Sequence, residues 1–558
     1  MNTKKIDKVI LLVGYSNLND YLLKLVLPIL SSVVLISLII PFIVPVGFVF
    51  SIFLILLTMG GLIGYPLIKY SAVKQNINEN LHFFITYAGT IATMKISRHA
   101  LFKKIAEKKV FGEISKTFEK VIYLSKDWNM GFVNSCRLMG SRTPSRILGD
   151  FLDRFAVVMD FGEELDTFLY DEQGAVLDDY SVEYKKSLEI IKMIQELFMA
   201  LSVSFAFLVS TILLAPLLIA LPVNVLLIYA LVGLVVMDVV IIFAVKGFIP
   251  RDQIFHDLAH KSLGQLKIEQ AFKFAVIISG VFFVGLLFLT SLSFITVMAL
   301  GSLPLLYPGF LAVREEEIVR KRDVQFPVYA RILGSAIEVR NGGVISSLKS
   351  TQMHDFGVIN DMSVNLYRRL RLGTDKFKSW YHYAVDSGSN LVNNFSKIFS
   401  ESIYLGGNAE KIGEIVSNNV QHLLSLRKLR AQLAQGLTGV FYGITIGVSL
   451  TIFITFRISE KMSQLFSTTN IDDEMTVDFA QTIMPMNQEI NFGVALVLIM
   501  VMLIIHAFTS SWILKIIDGG SNYSSIINLI IMIWIIALLY WTIPSVVDMV
   551  LPDMSTIW

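Results

Sequence analysis

Two triplets in this chain, Asp160-Phe161-Gly162 and Asp355-Phe356-Gly357, spell the sequence with which protein kinases hold magnesium. A kinase also needs a glycine-rich loop over the phosphates and a His-Arg-Asp catalytic loop, and the chain has neither. The other common phosphate loop sets clustered glycines ahead of Lys-Ser or Lys-Thr, so that backbone N–H groups and an ammonium surround the anion. No Gly-Lys dipeptide occurs anywhere. Gly60, Gly61 and Gly64 lie in an apolar run, where small residues serve close helix packing. His256 and His260 stand four apart, so on a helix their imidazoles share a face, with Asp257 between them. The zinc-protease pattern of that spacing needs Glu directly after the first His as general base. Asp257 is one methylene shorter and no third ligand is evident, so the expectation is a polar helix surface without metal. Asp238 is the one charge in the stretch 197–245. A carboxylate inside a membrane can mark a proton path, but a relay needs more than one such site, and a polar contact between helices is expected instead. The single cysteine, Cys136, can form neither an internal disulfide nor a thiolate metal site. No nucleophile and base are grouped. The chain therefore reads as a non-enzyme with no catalytic residue, cofactor or metal.

Basic clusters are the more informative groupings. Lys103, Lys104, Lys108 and Lys109 fall within seven residues. The segment 246–273 carries Lys246, Arg251, Lys261, Lys267 and Lys273 against Asp252, Asp257 and Glu269, and is too long for a hairpin turn. Lys246, Arg251, Lys261, Lys267, Lys103, Lys104, Lys108 and Lys109 are the candidate contacts for a protein partner. Arg314, Arg320, Lys321 and Arg322 flank one membrane exit, interrupted by Glu315, Glu316 and Glu317, and Arg427, Lys428 and Arg430 precede another span. Those two clusters read as anchors to lipid headgroups.

The elements that must position these residues follow from composition. Of 558 residues, 54% are hydrophobic and 16% charged, where a soluble domain carries about 25% charged residues. The chain is therefore an all-α polytopic membrane protein, and its net charge of +2 gives no pull toward nucleic acid. Segment 25–68 has no Asp, Glu, Lys or Arg. At about 20 residues per span it is a transmembrane hairpin. Segments 197–245, divided by Pro222, and 274–313 are two more. Three further spans lie within 435–547, giving about nine. Two polar stretches, 69–196 and 314–434, are each long enough for a domain with its own core, and 246–273 is a basic loop. The N-terminal segment 1–24, with Lys4, Lys5 and Lys8, and the basic loop read as inside by the excess of Lys and Arg. Both polar domains are then cytoplasmic. The acidic loop 457–489 and the tail 548–558 are external. The apolar run after the N-terminus is too long for a cleaved signal peptide.

The two polar domains repeat one another at a fixed offset. Phe111-Gly112 sits 245 residues before Phe356-Gly357. Phe151 and Phe155 sit 244 before Phe395 and Phe399, and Gly162 sits 244 before Gly406. Both domains read as helical bundles. Leu148, Leu152, Phe155 and Val158 recur at spacings of three and four, as do Phe395, Ile398, Phe399 and Ile403, each set one apolar stripe facing a core. Thr143-Pro144 is expected to start the first of these helices, and Gly162 and Gly406 to end or bend them. Lys185–Phe198 and Ile415–Leu433 lack Pro and Gly. Each predicts a helix running from a polar domain toward a span.

The segment from Gly140-Ser141-Arg142-Thr143-Pro144-Ser145 through Leu148-Gly149-Asp150-Phe151-Leu152, closing at Gly162 through Leu165, resembles the repeated domain of the type IV pilus and type II secretion platform proteins (the type II secretion system F family). The nearest likeness is to the archaellum (archaeal flagellum) branch. Gly388-Ser389, Phe395 and Gly406 take the corresponding places in the second copy, where the Thr-Pro pair is replaced. The likeness covers roughly 69 to 545 and rests on layout more than on a chemical motif. It implies a multi-pass platform in the cell membrane whose cytoplasmic domains dock on a hexameric motor ATPase and couple it to insertion of filament subunits, archaellins or pilins, and in archaella to rotation. Other motor components, the lipid bilayer and a second copy of the chain are further implied partners. A platform for archaeal adhesive pili has the same layout. A secondary transporter also combines many spans with an internal repeat, but transporters repeat their membrane bundles, whereas this repeat lies in the polar domains.

Overall fold

The computed structural model describes residues 9–10, 15, 17–43, 47–94, 96–217, 222–250, 252–341, 343–468 and 491–550. Every regular element among them is helical: α1 (Leu18–Tyr21), continued through a π-helical turn, α2 (Leu27–Ile43), α3 (Gly47–Ala92), α4 (Arg98–Glu107), α5 (Glu113–Lys126), α6 (Gly131–Arg142), α7 (Arg146–Phe161), α8 (Leu165–Leu214), α9 (Val223–Phe248), α10 (Leu263–Leu289), α11 (Phe294–Gly301), α12 (Leu306–Val339), α13 (Val344–Thr351), α14 (Asn360–Arg371), α15 (Lys376–Ser387), α16 (Asn390–Tyr404), α17 (Ala409–Thr468), α18 (Phe492–Asp518) and α19 (Ser525–Val550). Eight helical stretches among the described residues are long and apolar enough to cross a membrane. They coincide with eight of the nine expected spans. The ninth, the second of the first hairpin, falls on α3, whose side chains at 47–54 lie outside the description.

The helix ends carry the duplication. Helices α6 and α15 start at 131 and 376 and end at 142 and 387, an offset of 245. Helices α7 and α16 start at 146 and 390, and α8 and α17 at 165 and 409, an offset of 244. The one-residue slip therefore lies in a single turn: Thr143-Pro144-Ser145 in the first copy, Gly388-Ser389 in the second. Pro144 lies in this connection rather than in the first turn of α7. Ser145 is the N-cap, its hydroxyl accepting from the Leu148 N–H, and Ser389 accepts likewise from Val392. The shorter turn is closed by Gly388 at φ 69°, and α7 and α16 are followed by Gly162 and Gly406 at φ 77° and 90°. A side chain in that left-handed region costs roughly 1–2 kcal/mol, which is why glycine stands there in both copies.

Contacts divide the chain into two units. The first comprises Met1–Glu183, Ile337–Gly342 and Ile398–Asn419. Its core is a ring cluster in which Phe84 lies 5.3 Å from Phe118 and 5.4 Å from Phe151, and Phe102 lies 5.4 Å from Phe155. These rings are fully buried, as are Leu148 and Leu152 of the expected stripe. Truncating such a ring to Ala costs about 3–5 kcal/mol. Polar bonds close the same unit: Asn419 donates to Thr86 and Gln173, both at 2.8 Å, and Tyr87 donates to Glu401 at 3.0 Å.

The second unit comprises Tyr184–Ala336, Gly343–Lys397 and Val420–Trp558. Its apolar core runs along the later parts of α8 and α17 with α9, α18 and α19, through Phe198, Leu227, Leu234, Phe441, Ile499 and Ile536. A second cluster packs Tyr329 against Phe356 at 5.3 Å and Trp380 against Tyr383 at 5.4 Å.

Candidate functional site

Helix α17 carries Arg427 and Arg430 one turn before its uncharged run 431–456. Both turn inward, against the expectation of headgroup anchoring. Arg427 grips Asp252 with two nitrogens, Nε to Oδ2 at 2.7 Å and Nη2 to Oδ1, while Nη1 donates to Asp323 Oδ2 at 2.7 Å. Asp323, on α12, is 1% exposed and also accepts from the Ser389 hydroxyl. Two carboxylates from distant parts of the chain thus converge on one planar guanidinium, whose fork suits paired acceptors as no ammonium does. Arg430 is 4% exposed and donates to the carbonyls of Ile516 at 2.9 Å, Ile517 at 2.6 Å and Pro250 at 2.8 Å. The first two belong to the last turn of α18, whose carbonyls have no helical donor and carry the negative end of the dipole. Arg320 pairs with Asp518 at 3.0 Å, and buried Glu316 accepts from the Ser521 N–H at 2.6 Å. Five elements (α9's exit at Pro250, α12, α17, α18 and the turn before α19) meet at this charged joint.

The duplication shows what is special to the second copy. Asn78 and Ser145 in the first copy hold the places of Asp323 and Ser389, at offsets of 245 and 244, and the same hydroxyl-to-oxygen bond is made at 2.6 Å. The second copy has exchanged a neutral amide for a carboxylate. Glu183, 244 residues before Arg427, pairs with Lys74 at 2.5 Å.

The basic loop is tied to the same joint. His256 N–H donates to Gly388 O at 3.1 Å, and Asn390 N–H to Ile254 O at 2.9 Å, so the loop forms a short antiparallel bridge with the turn before α16. Residues 252–262 are not helical, and His256 and His260 do not share a helix face. His256 Nε2 lies 3.3 Å from Val385 O, and its Nδ1 accepts from Leu258 N–H at 3.3 Å. Burial holds its pKa below the usual histidine value. His260 Nδ1 meets the Tyr381 hydroxyl at 3.0 Å.

The candidate contact residues stand in several settings. Lys261 pairs with Glu269, and Lys267 is exposed on α10. Lys246 ends α9 over the Trp512 ring. Arg251 lies outside the described residues. Lys103 is exposed, 3.9 Å from Glu107, and Lys109 is exposed. Lys104 is half-buried, and Lys108 pairs with Glu401 at 2.5 Å. In the other cluster Arg322 donates to Ser387 O at 2.8 Å and Lys321 pairs with Glu317 at 2.8 Å, while Arg314 is exposed. The kinase-like triplets serve separate local ends. Asp160 pairs with Arg137, whereas Asp355 accepts from the Gly357 N–H, which holds its pKa below the carboxylate norm.

Asp238 has a partner that a scan for charged letters misses. His506 of α18 comes within 4.0 Å of it, both residues 2–3% exposed, with Phe198 stacked on the imidazole at 5.3 Å. Histidine is not counted as a charge, so the second half of the pair was invisible in composition.

Membrane-crossing helices, a helical domain present twice and a charged joint where spans meet the second copy define a polytopic all-α membrane protein with a duplicated helical domain. Flagella accessory protein J of Methanocaldococcus jannaschii is 34% identical over 547 residues, 95% of this chain and 96% of that protein. Its namesake from Methanococcus voltae is 30% identical over 534 residues, 92% and 94%. The chain therefore belongs to the flagella accessory protein J family and is an archaellum-associated, multi-pass membrane protein. No family model matches the chain, and no solved structure matches it.

Proposed function

We propose that the protein is the membrane platform of an archaellum machine. Its polar domains face the cytoplasm, dock on a hexameric ATPase and pass that motor's movement to the filament base, driving subunit insertion and rotation. The reading is supported above all by α17, a single 60-residue helix. Its polar first half leads through Arg427 and Arg430 into an uncharged run without a break. A helix of that build transmits a push or twist applied at one end, and the joint distributes it to α9, α12, α18 and α19. The names of the two relatives favour an archaellum over an adhesive pilus. Exposed Lys261 and Lys267, with Lys103, Lys104 and Lys109, are the motor-facing candidates; such charges set register and association rate more than raw affinity.

The test is co-purification from native membranes with and without Lys261→Glu and Lys267→Glu. The wild-type chain brings down an archaellum ATPase, and the doubly reversed chain, inserted at normal levels, brings down markedly less. Recovery of a pilus ATPase, or of no ATPase, overturns the reading. Undiminished recovery with the double variant removes this loop from the contact.

A further inference from the structure

With Arg427 and Arg430 engaged inside the protein, a different pair of cations marks the boundary of the spans. Lys246 ends α9 and Lys515 lies in the last turn of α18. Their Nζ atoms sit 5.9 Å and 5.4 Å from the centroid of one ring, Trp512. Two ammonium groups drawn to one indole repel each other, and neither forms an ion pair with any described residue. Arg430 adds a third cation near Lys515 and Glu316 is the carboxylate that opposes them, so positive charge stays in excess. An excess of positive charge is thus held at one point by the fold.

The surroundings say what would neutralise it. Trp512 stacks on Phe508 at 6.0 Å, and Phe508 is 51% exposed. On α9, Phe243 and Phe248 are 71% and 49% exposed on either side of Lys246. An indole at a span's end is the usual mark of the headgroup level, and exposed phenyl rings beside it face acyl chains. Lys515 also lines a cavity of about 250 Å³, together with Gln253, Glu269, Gly519 and Ser521 among others. We propose that Lys246, Lys515 and Trp512 form a binding site for the phosphate of an anionic membrane lipid. The phosphate accepts from both ammonium groups, the acyl chains lie on Phe243, Phe248 and Phe508, and the polar headgroup substituent enters the cavity. The site joins the ends of α9 and α18 beside the Arg430 joint, so an occupied site braces the spans where movement would enter them.

Native mass spectrometry of the full chain, released from micelles doped with phosphatidylglycerol or phosphatidylcholine, tests this. The wild type retains phosphatidylglycerol and not phosphatidylcholine. Lys246→Gln with Lys515→Gln weakens retention about tenfold or more, and Trp512→Leu, which keeps both lysines, weakens it less. Lys428→Gln, removing an exposed charge from α17, leaves retention unchanged. Undiminished retention by the lysine double variant overturns the site, as does equal loss with Lys428→Gln, which would signal surface charge alone. Displacement of the lipid by inorganic phosphate, beyond that by chloride at equal ionic strength, overturns the assignment to a lipid in favour of free phosphate. If the double variant fails to unfold cooperatively like the wild type, Trp512→Leu decides.

Discussion

Arg427 separates the consequences of removing a charge from those of removing a whole network. Arg427→Ala leaves two carboxylates, one almost wholly buried, facing each other without a cation. Breaking a buried pair this way costs about 3–5 kcal/mol, so a clear fall in thermal midpoint in detergent is expected. Arg427→Lys retains the charge but loses the fork onto Asp252, and falls between. Replacing all three groups, Arg427→Met with Asp252→Asn and Asp323→Asn, recovers most of the loss, because no charge is then buried. A midpoint unchanged in Arg427→Ala would show that the three groups do not meet. The sequence places both arginines at a span's edge without saying which way they turn. A guanidinium there can reach lipid phosphates or protein oxygens. The choice rests on Asp252 and Asp323, which lie 175 and 104 residues away along the chain. Asp238 was legible as an oddity and its partner was not, because His506 is titratable without being written as a charge.

At the scale of elements the sequence is far more informative, since spans and repeats are properties of periodicity and length that no distant contact alters. The offset of Phe111 from Phe356 and of Phe155 from Phe399 already implied a slip of one residue. The structure assigns it to the turn that replaces Thr143-Pro144-Ser145 with Gly388-Ser389. The loop 246–273 was harder to read: its histidine spacing suggested a helix, but Pro250 breaks α9 and the backbone then bonds to the turn before α16. Helix continuity, which the absence of proline and glycine forecast, carries the proposed coupling and can be tested alone. Gln432 and Gln435 are exposed on α17 and contribute nothing to a core. Glycine at both costs about 2 kcal/mol of helix propensity relative to alanine and, with Gly436, creates a soft segment between joint and span. Membrane levels are expected to stay normal and swimming to fall sharply, while alanine at the same two positions leaves swimming intact. Normal motility in the glycine variant would mean that α17 does not transmit movement.

For the molecule as a whole, the proposal needs both polar domains on the side where ATP is spent. The distribution of Lys and Arg is the argument for that orientation, and the geometry of α17 agrees with a full crossing. The uncharged run 431–456 is about 39 Å long at 1.5 Å per residue, enough for a hydrocarbon core of about 30 Å. Polar clusters close both ends: Arg430 with the α18 carbonyls at one, and Arg457 and Lys461 on Asp548 at 3.0 Å at the other. The chain is suited to a labelling test because its one cysteine is silent. Cys136 is fully buried, and burial pushes its thiol up to about 12, so almost no thiolate is present at neutral pH. Single cysteines at half-buried Lys104 and exposed Arg368, one in each polar domain, and at Asp473 in the acidic segment therefore report against a clean background. A membrane-impermeant maleimide added to intact cells should modify Asp473→Cys and spare the other two. Inverted vesicles should reverse the pattern. Modification of Lys104→Cys or Arg368→Cys from outside would put a polar domain beyond the reach of a cytoplasmic motor, and the platform reading would fail with it.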